Sequence, residues 1–355
     1  MNILYLITGL GLGGAEKVVI DLADQMNALG HNVKIAYLTG EMLLRPASIE
    51  IEIISLDMNS KNDLFSASKK YKQLVRYFKP NVVHAHMIHA NVFARLNRIG
   101  CALPKLICTA HNSNEGGKLR MLAYRATNCL SDINSNVSQE ATAALINKGA
   151  FSKSNLITVY NGINLSKFQK ESDNIQFKKK TVNLIAIGRF SDQKDYPNLI
   201  NAFAVLKSQN NSNVKLNIVG DGELRSEIEI LIKELQLEED ITLLGRRSDI
   251  PQLLSQADIF VLASKFEGFG LVVAEAMACE SYVVATDSGG VAEVMGNTGK
   301  LVPIQNSQAL ADALQNAMAL SSKDRMQNNR KARARVEQLF SLETSVQKWL
   351  ALYES

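Results

Sequence analysis

The chain has 355 residues, of which 46% are hydrophobic and 21% are charged, and its formal net charge is +4. This composition excludes a disordered or fibrous protein, and the length allows two globular domains with separate cores. From so small a net charge we expect no nucleic-acid partner.

Short apolar segments alternate with amphipathic segments, which is typical of parallel α/β units. The first strand is followed by a turn rich in glycine and then by a helical stripe of apolar residues from Ala15 to Leu29, which Gly30 ends. The strands predicted in the first half are 3–7, 33–38, 51–55, 82–85, 106–109, 133–136 and 157–159. This half therefore predicts one Rossmann-like domain, residues 1–165.

A polar stretch separates the two halves, and we predict a linker at 166–180. The α/β pattern then restarts, which predicts a second Rossmann-like domain at 181–340. Its strands are predicted at 182–187, 215–219, 241–243, 259–262, 282–285 and 300–303. The last segment, 341–355, reads as an amphipathic helix that carries the only tryptophan, Trp349.

The turn after the first strand contains Gly9, Gly11 and Gly14, a G-x-G-x-x-G spacing that suggests a dinucleotide site. That motif also needs an acidic residue near the end of the second strand. Here the second strand runs into Leu38-Thr39-Gly40, with Glu41 only beyond it. A dinucleotide site is therefore the weaker interpretation of this turn.

Histidines mark the ends of two neighbouring strands of the first half. His84 lies within an apolar strand and is interpreted as structural, whereas His86 and His111 lie at carboxyl ends, where α/β sheets bind ligands. Zinc is a weak alternative, because no Cys or carboxylate completes the ligand set. Asn112 and Glu115, beside two glycines, are expected to shape a binding loop.

Two basic residues follow the first strand of the second half. Arg189 stands at the strand end, and Lys194 lies on the turn into the next helix. A guanidinium and an ammonium together can neutralise a diphosphate leaving group as its charge grows. Further along, the loop from Val219 to Leu224 has two glycines that allow either close approach of a ligand or a tight turn.

The segment from Glu267 to Glu275 is the most informative part of the chain. It places two carboxylates eight positions apart across a turn and the start of a helix near Gly270. The backbone N–H groups of a helix N-terminus suit a phosphate. Glu267 could meet sugar hydroxyls and Glu275 ribose hydroxyls, so the segment predicts a receptor for a sugar nucleotide.

These motifs together resemble the retaining GT-B glycosyltransferases of the GT4-like group, and the resemblance spans nearly the whole chain. Glu267 and Glu275 match its E-x7-E signature, Arg189 and Lys194 match G-R-x-x-x-x-K, and 13–16 match G-G-A-E. The resemblance implies two facing Rossmann-like domains with an interdomain cleft, the last helix crossing back onto the first domain. The resemblance implies that the catalytic residues are Arg189, Lys194, Glu267 and His111. The residues it implies for donor binding are Gly14, Gly220, Arg247, Phe269, Gly270, Leu271 and Glu275. Those it implies for acceptor binding are His86, His111 and Asn112.

The reaction that the resemblance implies is transfer of a hexose or N-acetylhexosamine from a UDP-sugar to a hydroxyl, with retention at the anomeric carbon. No carboxylate is evident in the first half for a double displacement, so we expect front-face attack without a cofactor. The sequence has no clear D-x-D at a strand end, and we expect no metal. A UDP-sugar 2-epimerase of the same architecture and a non-catalytic sugar-nucleotide-binding protein remain as alternatives.

The region around 86–91 and 114–125 resembles bacterial enzymes of surface polysaccharide or lipid-linked oligosaccharide synthesis, such as those for capsule or lipopolysaccharide. Residues 1–165 carry 17 Lys and Arg against 11 Asp and Glu, whereas the remainder carries 22 against 24. A basic face with Lys69, Lys70 and Lys72 could hold the protein at an anionic membrane that contains a lipid-linked acceptor.

The compartment expected from the sequence is the cytoplasm, at the inner face of the cell membrane. The four cysteines show no metal or disulfide spacing and are expected to be reduced; they are Cys101, Cys108, Cys129 and Cys279. We see no signal peptide, and no apolar run reaches the roughly 18 residues of a spanning helix.

Overall fold

The computed structural model describes residues 1–113, 115–170, 181–209 and 213–355. The chain forms two compact units: unit 1 is Met1–Gly162 with Leu342–Ser355, and unit 2 is Ile163–Ser341. Most of the predicted linker, residues 171–180, lies outside the described residues.

Unit 1 is built on a parallel sheet of seven strands in the order β3-β2-β1-β4-β5-β6-β7. Its elements in chain order are β1 (Asn2–Ile7), α1 (Gly14–Ala28), β2 (Asn32–Tyr37), β3 (Glu52–Ser55), α2 (Leu64–Phe78), β4 (Val82–His86), α3 (Ile88–Arg98), β5 (Leu106–Ala110), α4 (Lys118–Thr127), β6 (Ile133–Asn136), α5 (Gln139–Asn147) and β7 (Ile157–Thr158). The central strands β4 and β5 are buried along their whole length, as expected of strands covered by helices on both faces.

Unit 2 contains a parallel sheet of six strands in the order β10-β9-β8-β11-β12-β13. Its elements in chain order are β8 (Val182–Ile187), α6 (Tyr196–Gln209), β9 (Val214–Val219), α7 (Arg225–Glu234), β10 (Ile241–Gly245), α8 (Ile250–Gln256), β11 (Ile259–Leu262), α9 (Leu271–Ala278), β12 (Tyr282–Thr286), α10 (Val291–Met295), β13 (Lys300–Val302), α11 (Ser307–Ala319) and α12 (Ser322–Leu339). The prediction of two parallel-sheet, Rossmann-like α/β domains is therefore confirmed.

Each sheet has one position where the strand order reverses. In unit 1 this switch point lies between β1 and β4, and in unit 2 it lies between β8 and β11. The helices that follow the two strands of a switch point lie on opposite faces of the sheet, which leaves a crevice at the carboxyl ends of the strands. Ligand-binding residues are expected at these two edges.

The last helix, α13 (Leu342–Glu354), packs within unit 1. Trp349 is 3% exposed and its ring lies 4.3 Å, centroid to centroid, from the ring of His84 on β4. The hydroxyl of Tyr353 lies 2.7 Å from His84 Nδ1 and 3.1 Å from the hydroxyl of Tyr5 on β1. The helix therefore completes the core of unit 1 beside its switch point.

We predict that Trp349→Ala lowers the stability of unit 1 by about 3–5 kcal/mol, the usual cost of removing a buried aromatic side chain. Differential scanning calorimetry should show the loss as a lower melting temperature of one transition. Gln347→Ala, an exposed position on the same helix, is the control. Equal melting curves for the two variants would show that α13 contributes little to the core.

Candidate active site

In unit 2, two loops meet at the switch point. Lys194, in the short 3-10 helix after β8, places its Nζ 2.5 Å from Oε1 of Glu267 in the loop after β11. Ser264, two residues beyond the end of β11, donates its hydroxyl to the same oxygen at 2.7 Å. Glu267 is 7% exposed, so the pair is held in a largely desolvated position where its geometry is well defined.

Further contacts join the same two loops. Lys265 donates its backbone N–H to the Gln193 carbonyl at 2.8 Å, and the Gln193 side-chain amide donates to the Phe266 carbonyl at 2.9 Å. Lys265 also pairs with Asp192 at 2.5 Å. These residues and Ser264 match none of the sequence motifs, and the one signal that points to them is their position within three residues of Lys194 or Glu267.

The start of α9 forms the second part of this edge. Gly270 adopts φ +85°, the left-handed region that favours glycine, and no side chain caps the helix at this position. Leu271 opens the helix and is half-buried, whereas Glu275 is 5% exposed in its second turn. The Phe269 ring is buried edge-on against Phe340 at 5.3 Å, so any donor contact of Phe269 would come from its backbone.

Gly220 and Gly222, which follow β9, pack closely against the backbone of the loop after β8. A Cβ on Gly220 would lie 1.9 Å from the Gly188 carbonyl oxygen, and one on Gly222 would lie 2.5 Å from that of Phe190. Phe190 in turn donates its backbone N–H to Asp221 at 3.0 Å. The predicted donor-binding Gly220 thus packs against the loop that carries Arg189, and its contact with a donor stays a prediction.

Two arginines predicted near the donor differ in their surroundings. Arg189 is exposed two residues beyond β8. Arg247 is also exposed, but its guanidinium is held by both oxygens of Asp249, at 2.8 and 2.6 Å. This partner raises the pKa of Arg247 through hydrogen bonds and charge. Asp249 occupies Nε and one terminal nitrogen of Arg247, which leaves the other terminal nitrogen for a donor.

At the switch point of unit 1, the structure brings His86 and His111 together. His86 Nδ1 lies 2.9 Å from His111 Nε2, and the ring of His84 lies 4.0 Å from that of His86. Burial lowers the pKa of His111 to about 4 and those of His84 and His86 well below the usual range. All three rings are therefore neutral at physiological pH. His84 is fully buried, as its interpretation as structural predicted.

The predicted acceptor residues are not equally accessible. His86 has no exposed surface, whereas His111 and Asn112 are half-buried. A direct contact between His86 and an acceptor, as predicted, is therefore disfavoured by its burial. Gly14 is exposed at the first position of α1, which has no side-chain cap.

The loop after β5, which Glu115 was expected to shape, carries a buried carboxylate. Glu115 is 9% exposed, and its Oε1 accepts the backbone N–H of His111 at 3.1 Å. Burial raises the pKa of this carboxyl, and the backbone N–H groups of His111 and Asn112 oppose that rise. Its position shows that Glu115 holds the loop after β5 in place.

Within the described ranges, no group of three or more His, Cys, Asp or Glu side chains could hold a metal ion. One nitrogen of each ring, His86 Nδ1 and His111 Nε2, is used in the hydrogen bond between the two rings. Among the residues that the structure describes, no helix is both long and apolar enough to span a bilayer.

Family models match both halves of the chain. The model described as Glycosyltransferase Family 4 matches residues 12–167, and the model described as Glycosyl transferases group 1 matches residues 167–335. The chain belongs to the GT4-like family of GT-B glycosyltransferases. The pairing of Lys194 with Glu267 joins two of the motifs on which the resemblance is based.

Individual relatives agree with this family. The chain is 28% identical, over 93% of each protein, to N-acetylgalactosamine-N,N'-diacetylbacillosaminyl-diphospho-undecaprenol 4-alpha-N-acetylgalactosaminyltransferase of Campylobacter jejuni. It is 24% identical, over 90% of each, to the amylovoran biosynthesis glycosyltransferase AmsD of Erwinia amylovora. Anabaena HepE, solved with UDP and glucose, superimposes with a TM-score of 0.85 at 23% identity, covering 100% of this chain and 99% of that one, and shows the shared fold.

We predict that Gly222→Ala destabilises unit 2 by about 1–3 kcal/mol, because the added methyl meets backbone atoms that cannot move cheaply. Urea unfolding followed by circular dichroism would measure the loss. Gly117→Ala is the control, since Gly117 has φ −70° and a Cβ there would meet no atom within 4 Å. A Gly222→Ala variant as stable as this control would contradict the packing role.

Proposed function

We propose that this GT4-like glycosyltransferase moves a hexose or N-acetylhexosamine from a UDP-sugar to a hydroxyl of a lipid-linked glycan, with retention at the anomeric carbon. The observation that carries the proposal is the Lys194–Glu267 pair at the switch point of unit 2, beside the uncapped start of α9. A cation and a helix N-terminus at one strand edge suit the two phosphate groups of a sugar diphosphate, and the carboxylate suits the hydroxyls of its sugar.

In this proposal the diphosphate competes with Glu267 for Lys194. Arg189, exposed on the same loop, and the N-terminus of α9 add further positive potential for a group whose charge grows as the glycosidic bond breaks. The carboxylate of Glu267, still held by Ser264, then accepts hydrogen bonds from hydroxyls of the transferred sugar. Donor binding thus exchanges an internal ion pair for two ligand contacts.

Glu275 is assigned to the ribose of the donor. Its carboxylate is buried one turn into α9, at the helix start proposed to bind the diphosphate, and a carboxylate accepts hydrogen bonds from hydroxyl groups. Ribose hydroxyls are suitable donors. HepE, which shares the fold, has been solved with UDP-glucose, and this supports UDP as the nucleotide.

Retention is proposed to occur by front-face attack, in which the departing diphosphate takes the acceptor proton. The buried carboxyl of Glu115, beside His111, is engaged by the loop backbone, which supports a route without a carboxylate nucleophile. Because Arg189, Lys194 and the start of α9 supply positive charge, no metal is needed to stabilise the leaving group.

The acceptor is proposed to carry a lipid diphosphate. The Campylobacter relative, aligned over 93% of each chain, is named for an α-linked transfer to a diphospho-undecaprenol glycan. His111 and Asn112 on the loop after β5 are assigned to this acceptor, at the inner face of the cell membrane.

The surface proposed to meet the membrane is the outer face of α2. One face of α2 packs on the core through its buried residues, which are Ala67, Tyr71, Val75 and Phe78. The opposite face carries residues at helical spacing, which are Phe65, Lys69, Lys72 and Arg76. Phe65 is 82% exposed. Lys70, part of the predicted basic face, pairs with Asp57 and so contributes less to an external field.

The test of the function is a UDP-release assay with a panel of UDP-sugars and a bacterial lipid extract, run with and without EDTA. Acceptor-dependent release that persists in EDTA is expected. Release without acceptor, or epimerised donor among the products, would favour the epimerase. UDP binding without turnover on any acceptor would identify a binding protein, and loss in EDTA restored by Mg²⁺ or Mn²⁺ would overturn metal independence.

We predict different losses for the two carboxylates. Glu275→Gln should weaken UDP binding about tenfold to hundredfold, since a hydrogen bond to a charged group is worth about 1.5–3 kcal/mol. Glu267→Gln should lower kcat by a similar factor without weakening UDP binding, because its ligand is the sugar and its loss removes a competitor for Lys194. Isothermal titration with UDP, combined with transfer kinetics, separates the two effects.

Glu280→Gln, at the turn that follows α9, is the matched control and should bind UDP and turn over normally. UDP affinity equal to wild type in the Glu275→Gln variant would contradict the ribose assignment.

We also predict sedimentation with anionic liposomes at low salt and release at high salt, because each basic residue near such a surface contributes about 1 kcal/mol. Neutralising Lys69, Lys72 and Arg76 together should weaken sedimentation without changing UDP affinity. The control neutralises Lys323, Arg330 and Lys331, three exposed cations of α12. Equal recovery with neutral and anionic liposomes, or equal losses in both triple variants, would rule out α2 as the docking face.

A further inference from the structure

The His86 ring is enclosed by other rings and cannot turn freely. It lies 4.0 Å from the ring of His84 and 5.9 Å from that of Tyr5, and it has no exposed surface. His84 is itself held through both nitrogens, by the hydroxyls of Tyr353 and Thr109, each at 2.7 Å. The orientation of His86 toward His111 is therefore set by the packed interior of unit 1.

The bond between His86 Nδ1 and His111 Nε2, at 2.9 Å, contains one proton. Burial keeps both rings neutral, and a neutral imidazole has one N–H and one acceptor nitrogen. The proton therefore belongs either to His86 Nδ1 or to His111 Nε2, and the choice decides which tautomer each ring adopts.

The second nitrogen of His86 distinguishes these cases. His86 Nε2 is buried and has no hydrogen-bond partner among the described residues. If His111 donated, this nitrogen would carry a buried N–H without an acceptor, and orphaned buried donors are rarer than under-satisfied acceptors. If His86 donates from Nδ1, Nε2 is left as a bare lone pair, which is the less costly arrangement.

We propose that His86 is a positioning residue that donates from Nδ1 to His111 Nε2 and so places the proton of His111 on Nδ1. His111 then offers its remaining nitrogen as a hydrogen-bond donor to an oxygen of the bound sugar or acceptor, and it cannot act there as a base. The role in transfer rests on the proposed function, whereas the tautomer is a property of the protein alone.

The tautomer is measured by NMR on protein labelled with ¹⁵N at its histidines, of which the chain has five. The signals of His111 are assigned by their loss in His111→Asn. We expect a protonated Nδ1 and an unprotonated Nε2 for His111 in the wild-type protein. A proton on His111 Nε2 would overturn the proposal.

Variants of His86 test the positioning role. His86→Leu removes the donor, so His111 should become a mixture of tautomers and transfer should fall about tenfold, the usual value of one hydrogen bond, with UDP affinity unchanged. His86→Asn places an amide donor near the position of Nδ1 and should restore the single tautomer and most of the transfer. His86→Leu with the wild-type tautomer and rate would overturn the proposal.

Tyr353→Phe is the matched control, because it breaks a buried hydrogen bond of the same cluster without touching His111. It should keep both the tautomer and the rate. If Tyr353→Phe and His86→Leu lose transfer equally and neither changes the tautomer, the role of His86 is structural and the proposal is wrong. If the wild-type protein transfers to no acceptor, the proposed function fails, while the spectrum of His111 still decides the tautomer.

Discussion

Polar groups buried at the carboxyl ends of parallel strands must find partners, and this constraint shapes both candidate sites. In unit 2, Thr286 donates its hydroxyl to the backbone carbonyl of Ser264. The side-chain hydroxyl of Ser264 donates to Glu267, which in turn pairs with Lys194. In unit 1, a chain of hydrogen bonds runs from β1 through α13 to β4, β5 and β6, and its members are Tyr5, Tyr353, His84, Thr109 and Ser135. Since an unpaired polar group in these positions costs about 1–3 kcal/mol, each network holds its loops in one arrangement.

The strand ends were predictable because the apolar runs of a doubly wound sheet are long, continuous and separated by turn residues. Motif residues such as Arg189 and His111 therefore fell at the correct edges. The contact between Lys194 and Glu267 was not predictable from spacing, since they are 73 positions apart and meet only because β8 and β11 are neighbours. The glycines after β9 were ambiguous for the same reason: their partner, the backbone of 188–190, comes from another loop.

Local pairing also changes how the charges of the chain should be counted. Lys70 is neutralised by Asp57, Arg247 by Asp249 and Lys265 by Asp192. A tally of basic residues treats these cations as equal to Lys69 or Arg189, although only the latter kind can direct its full field toward an external anion. The sequence thus identifies the basic half, and among the described residues the structure distinguishes cations that are already paired, such as Lys70, from exposed ones such as Lys69.

The place of α13 has a consequence for the order in which the protein is made. Unit 1 is closed by residues 342–355, which are synthesised after the whole of unit 2. While unit 2 emerges from the ribosome, His84 lacks its Tyr353 partner and the pocket for Trp349 stands open. Unit 2 has all of its residues first and can fold first, so the amino-terminal unit matures last, in reverse of the usual amino-to-carboxyl sequence of domain folding.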